Sequence, residues 1–274
     1  AQFAHADAKI QRFDRAGLST FAGNADHAFG IAGHGRAHKP RRVILQWMAA
    51  GASTARMTDS FAPCPAPFNL AAYVLARAAA LPEKPALEVL GAEPQVYSYA
   101  RLEAAVRGCG TWLEGHGLPQ GARVLLRLGN SPAFPVLFLA AIAVGLVPVP
   151  TSAALTGPEI TRMAAAIAPA LIVAEPGIAL PELACPVVMT DAVLAAEGLP
   201  PCAYRMGDPE RLAYIVFTSG TSGRAMPVAH AHRAIWARRM MRDGWEGLGD
   251  ADRLLHAGAF NWTYTLGAGL LDPW

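Results

Sequence analysis

Tyr214-Ile-Val-Phe-Thr-Ser-Gly-Thr-Ser-Gly-Arg224 joins an apolar run to a run of small residues. Leu212–Phe217 predicts a buried strand. Thr218, Ser219, Gly220, Thr221, Ser222 and Gly223 follow as a loop of hydroxyls and glycines with little side-chain bulk. Gly220 and Gly223 permit φ > 0 and close backbone approach. Successive backbone N–H groups in such a loop can curl round an anion, with the hydroxyls adding hydrogen bonds. An ordinary connecting loop has the same composition, so composition alone leaves both readings open. The stretch is not a Walker loop, because Arg224 rather than Lys follows Gly223, and it is not G-x-G-x-x-G.

Upstream of this strand the pattern alternates between short apolar runs and helical periods. Asn69–Ala80 predicts a helix, and Ala86–Leu90 and Val96–Tyr99 predict strands. Tyr99–His116 is an amphipathic helix with Leu102, Val106, Cys109 and Leu113 on one face. Ala122–Leu128 is a strand, Pro132–Val144 a helix and Leu146–Pro150 a strand. Thr156-Gly-Pro-Glu159 is a capping box with Pro in the first turn, opening a helix that runs to about Ala168. Strands over Ala170–Ala174 and Pro186–Met189 and a helix near Asp191–Glu197 complete this part. Beyond the loop, a helix is expected from His230 to Arg242 and a strand over Arg253–Ala257. The alternation gives an α/β fold with a mostly parallel sheet covered by helices. Ligands on such sheets bind at the carboxyl ends of the strands, where the Thr218–Gly223 loop lies.

The chain has 274 residues, 53% of them hydrophobic, and a net charge of +2, which gives no case for a nucleic-acid partner. The charge is uneven. Residues 1–56 carry eight Lys/Arg against three Asp/Glu and lack periodicity. They read as a poorly structured N-terminal extension, with at most a short helix near Arg42–Ala50. Residues 57–274 read as one incomplete domain. The only lysines are Lys9, Lys39 and Lys84. Cys64, Cys109, Cys185 and Cys202 show no metal-ligand spacing and read as reduced thiols of a cytoplasmic protein. The apolar run Phe134–Val147 is shorter than the roughly 20 residues of a membrane span, and prolines bound it. A buried helix followed by a short strand is expected there.

Phe217-Thr-Ser-Gly-Thr-Ser-Gly223, followed by Val228-x-His230-x-His232, resembles the phosphate-binding signature of the AMP-forming adenylate synthetases. That superfamily includes acyl- and aryl-CoA ligases. The resemblance covers roughly residues 65–274 and implies the first part of an adenylate-forming enzyme N-terminal domain. It implies ATP, Mg2+ and CoA as cofactors and a small carboxylic acid as substrate, activated as an acyl-adenylate and passed to CoA. It places Thr218–Gly223, with Arg224, on the nucleotide phosphates. It places Phe260, Asn261, Trp262 and Thr263 near the carboxylate substrate, and packs His230 and His232 beneath the nucleotide loop rather than in catalysis. Core packing remains the alternative for the aromatic segment. Arg238, Arg239 and Arg242 read as a solvated helix end that complements the helix dipole.

The chain departs from the family at position 226, where a cation is expected and Met stands. A non-catalytic nucleotide- or acyl-binding paralogue is therefore the alternative reading. The ribose-binding Asp and late Lys of the family have no counterpart here, so the 274 residues alone are expected to be inactive and to expose an apolar face near Leu266–Leu271.

Overall fold

A computed structural model describes residues 62–90, 94–218, 225–241, 244 and 246–274, together with two short strand backbones near the N-terminus. Those two strands are Gln11–Phe13 (β1) and Ser19–Phe21 (β2), which pair antiparallel. Sequence reading expects no strands in residues 1–56, so β1 and β2 differ from it. The helix expected near Arg42–Ala50 lies outside the described residues.

Asn69 starts a helix at Leu70–Val74 (α1), and its side-chain oxygen accepts the Ala71 and Ala72 N–H groups. The helix is expected to reach Ala80 but stops early. Its continuation tightens into turns in which Ala78 N–H bonds Leu75 O and Ala80 N–H bonds Arg77 O, one residue short of the α-helical spacing. Pro85–Val89 (β3) and Gln95–Ser98 (β4) form an antiparallel pair. Ser98 then caps Tyr99–Glu114 (α2), whose Leu102, Val106, Cys109 and Leu113 are buried as the period predicts.

A parallel sheet follows: Arg123–Arg127 (β5), Val147–Pro150 (β6), Leu171–Ala174 (β7) and Val187–Met189 (β8), in the order β6-β5-β7-β8. Helix Ala133–Ala143 (α3) links β5 to β6 and is buried on every side, which accounts for its apolar run without polar stripe. Helix Gly157–Ile167 (α4) opens on the expected capping box, with the Glu159 carboxylate accepting the Thr156 N–H at 2.8 Å. Helix Asp191–Ala195 (α5) follows β8. Alternate residues of β5 serve opposite faces: Val124 and Leu126 join the α2–α3 core, and Leu125 joins Ile160 and Ala164 of α4. Helices thus cover both faces of the sheet, as expected. Val147 and Thr151 N–H bond across to Ala122 and Leu126 carbonyls of the β5 segment. Pro148 and Pro150, out of step with them, offer no donor on the other side of β6.

Leu212–Thr218 (β9) packs against β6, with Ile215 and Phe217 on the α4 side and Val216 on the α3 side. Its partner is a strand that sequence reading assigns to loop and helix: Met226–Ala231 (β10), antiparallel, with Thr218 opposite Met226 and Tyr214 opposite His230. The helix expected from His230 begins only at Ala234 and runs to Met241 (α6). His230 and Ala231 are taken up in the ladder with β9, which satisfies their backbone there and delays the helix. Arg253–Leu255 (β11) pairs with β1. Thr263–Leu266 (α7) passes into a wider turn over Gly267–Leu271. Leu266, Leu270 and Leu271 are buried, so the expected exposed apolar face is absent at these residues. Among the described residues no helix is long and apolar enough to cross a membrane.

Candidate functional site at the carboxyl ends of the parallel strands

Because β5, β6 and β7 run parallel, the segments after them, 128–131, 151–155 and Glu175, emerge on one side. There they meet the segment 257–261 that follows β11. Between them lies a cavity of about 280 Å³, lined among others by Leu128, Asn130, Phe134, Ser152, Phe260 and Asn261. Most of this lining is apolar, with a few amide and hydroxyl groups, as small-molecule sites usually are.

Three side chains hold the walls. Arg127 ends β5 fully buried and donates to Ala179 O (2.9 Å), Thr151 Oγ1 (3.3 Å), Leu155 O (3.2 Å) and Ser152 O, which ties down the wall after β6. Burial lowers its pKa, yet a guanidinium keeps its proton in proteins. Asn130 spans to the opposite wall, donating to Gly258 O (2.7 Å) and accepting the Phe260 N–H (3.2 Å). Glu175 accepts the Gly129 N–H (2.9 Å) and the Ser131 hydroxyl. Sequence reading misses all three. The one local signal was Asn130-Ser-Pro132 after a strand, a turn sequence.

Of the four predicted substrate residues, Phe260 and Asn261 line the cavity. The Phe260 ring lies 5.5 Å from Phe134 and 6.0 Å from the His256 ring. Trp262, half exposed, and Thr263 instead start α7 and are not among the lining residues. The His256 ring nitrogens are buried without a hydrogen-bond partner, and burial lowers its pKa.

Of the predicted phosphate contacts, Thr218 closes β9 with its side chain exposed opposite Met226. Ser219, Gly220, Thr221, Ser222, Gly223 and Arg224 lie outside the described residues. The two histidines pack rather than converge. His230 stacks on Tyr214 with ring centroids 4.6 Å apart. His232 is 1% exposed, and its Nδ1 accepts the Leu70 N–H at 3.0 Å. Among the described residues no group of three or more His, Cys, Asp or Glu is placed to hold a metal. All four cysteines are free. Arg238 is not on a solvated face, since it pairs with the buried Asp272 carboxylate. It also lies over Gly267, where a Cβ would run into the guanidinium. Arg239 stacks on Trp236 at 3.6 Å, and Arg242 lies outside the described residues.

His232 makes stability depend on pH. Burial, helped by the Arg211 charge, pushes its pKa down to about 4 from 6.5. The fold therefore holds the neutral ring and the unfolded chain takes up the proton. Its contribution is complete above pH 6.5 and is lost as pH falls from there toward 4. The full loss is roughly 3 kcal/mol. Glu246 works in the opposite sense. Burial and the Asp272 charge push it up to about 7, so its share is lost as pH rises from 4.5 to there. Urea unfolding of His232→Gln against the parent between pH 4 and pH 7 separates the two: the acid-side loss is expected to shrink in the variant to the share of His230 and His256, whose pKa values burial also lowers. Parallel pH profiles would remove His232 from the account.

Known proteins bear on this geometry. Residues 74–272 match the family described as AMP-binding enzyme. The chain is 28% identical over 254 residues to 4-coumarate–CoA ligase-like 3 of Oryza sativa subsp. japonica, a match covering 72% of this chain and 42% of that protein. It is 28% identical over 191 residues to 3-hydroxybenzoate–CoA ligase of Aromatoleum sp. (strain CIB), covering 64% of this chain and 36% of that protein. It thus spans well under half the length of these relatives. A benzoate CoA ligase structure from Burkholderia xenovorans LB400 superposes with a TM-score of 0.55 at 20% identity, covering 64% of this chain and 36% of that one. That likeness shows the fold, the first part of an adenylate-forming N-terminal domain. A family match over most of its length makes this chain a member of the AMP-binding enzyme family.

Proposed function

We propose that the chain is the N-terminal part of an ATP-dependent acyl- or aryl-CoA ligase. Its reaction activates a small carboxylic acid as an acyl-adenylate and transfers the acyl group to CoA. One observation carries the reading: the Phe217–Gly223 signature begins in β9, at Phe217 and Thr218, and continues into the sequence that joins β9 to β10, in a chain of this family. The Thr218, Ser219, Thr221 and Ser222 hydroxyls and the Gly220 and Gly223 backbone bind the β- and γ-phosphates of ATP, beside Arg224. Mg2+ carried on those phosphates would supply positive charge, and electrostatic stabilisation of the transferring group is the main task of such a site. The acid occupies the cavity beside Phe260 and Asn261, with Trp262 and Thr263 at its margin. The names of the CoA-ligase relatives support the thioester step.

A second reading has its own observation. Met226 stands where the family signature has a cation, which fits a non-catalytic nucleotide- or acyl-binding paralogue.

Titration calorimetry with ATP on the intact protein and its Gly220→Val variant tests the loop. A valine Cβ branch blocks close backbone approach, so the binding heat is expected to disappear. Unchanged binding in the variant refutes the assignment. Residues 1–274 by themselves are expected to release no pyrophosphate from ATP, Mg2+ and aromatic or short-chain acids. Turnover above background would show that the catalytic groups lie within this chain.

A further inference from the structure

The two cavity walls are far apart in sequence, yet one side chain joins them. Asn130 uses both ends of its amide on the same three-residue stretch: Nδ2 donates to Gly258 O and Oδ1 accepts the Phe260 N–H. The residues on either side of Asn130 are fixed in turn by one carboxylate, since Glu175 accepts from Gly129 N–H and from the Ser131 hydroxyl. The space there is closed, because a Cβ on Gly129 would lie 3.3 Å from Glu175 Oε2. The sequence of contacts therefore runs from the end of β7, through the turn after β5, to the wall that carries Phe260.

The Thr265 hydroxyl and the Trp262 N–H (3.3 Å) also donate to Ala259 O, which ties that wall to α7 but not to α3. The aromatic contact of Phe260 with Phe134 tolerates sliding, because ring pairs are stable over centroid distances of about 4.5–7 Å. The two amide bonds of Asn130 are directional and are not. We propose that Asn130, presented by Glu175, is a positioning residue that sets the distance of the Phe260 wall from α3 and so selects which acids the cavity accepts. The selectivity half rests on the reading of this cavity as the acid site. Asn130 itself need not touch the acid.

Three variants of the full chain separate the parts. Asn130→Ala removes both bonds. Asn130→Asp keeps an acceptor for the Phe260 N–H and loses the donor to Gly258. Glu175→Gln leaves Asn130 in place and replaces one of the two acceptor oxygens behind it with a donor. Far-UV circular dichroism confirms that each is folded. Amide hydrogen exchange at Phe260 is expected to accelerate about tenfold in Asn130→Ala, less in Asn130→Asp and to an intermediate degree in Glu175→Gln. NMR titration with benzoate and 1-naphthoate then reads selectivity, and the preference between the two acids is expected to narrow in Asn130→Ala and to be partly restored in Asn130→Asp. Unchanged Phe260 exchange in Asn130→Ala overturns the proposal. So does faster exchange with an unchanged preference, since the wall would then not govern selection. If the unaltered chain binds neither acid, the acid-site reading falls and the selectivity claim with it, while faster exchange would still establish Asn130 as the tie between the walls.

Discussion

Exchanging Arg127 for methionine is expected to lower the stability of the fold by about 3–5 kcal/mol. Methionine matches the unbranched stem and fills most of the space. What it cannot replace is the fork of donors. Three backbone carbonyls, those of Ala179, Ser152 and Leu155, and the Thr151 hydroxyl lose a partner at once. Replacing a buried ion pair by apolar groups is often neutral, because both partners leave together. Here the acceptors are main chain and stay behind. Urea unfolding measures the difference, with the slope expected to stay constant. A loss below about 1 kcal/mol would mean that water enters and satisfies the carbonyls.

Asn69→Asp is expected to cost a similar amount, about 3–5 kcal/mol, and more than Asn69→Ala at about 2–3 kcal/mol. The order is the informative part. As a helix cap, Asp is as good as Asn, so capping alone predicts no change. Asn69, however, is 1% exposed and works in two directions. Its oxygen caps α1, while its NH2 group donates to Ile142 O (3.1 Å), Ala143 O (3.3 Å) and Arg205 O (2.9 Å). A carboxylate would set a second oxygen against three carbonyls, two of them at the negative end of α3. Alanine only removes the bonds. The new carboxyl would have its pKa raised in the fold, so its penalty is expected to shrink as pH falls through that value. Melting curves at pH 7 and pH 5 check both statements. Equal melting of the two variants at pH 7 would show that the carboxylate escapes to water.

Much of the fold was legible because its signals are local. The Leu102–Leu113 face, the Thr156–Glu159 capping box and the proline-bounded α3 each declare themselves within a few turns of chain. The strand β10 did not. Val-Ala-His-Ala-His carries no strong period, and its state is decided by β9 across the hairpin. Arg238 was misplaced for the same reason, since Asp272 lies 34 residues away. At the candidate site, Phe260 and Asn261 were reachable through the family resemblance, and they line the cavity. Asn130 and Glu175 were not, because a single turn residue reaching 128 residues along the chain leaves no periodic mark.

The pairing of Thr218 with Met226 has a consequence for the chain between them. Their register brings together the two points of the chain that residues 219–225 must connect. Drawing two ends of a free segment together costs configurational entropy, and the β9–β10 ladder has already met that cost. An anion bound by this loop would need only to select local torsions. On the proposed reading of this segment as the phosphate site, loosening the far end of the ladder, at Tyr214 and His230, would weaken anion binding from a distance, with no contact to the anion changed.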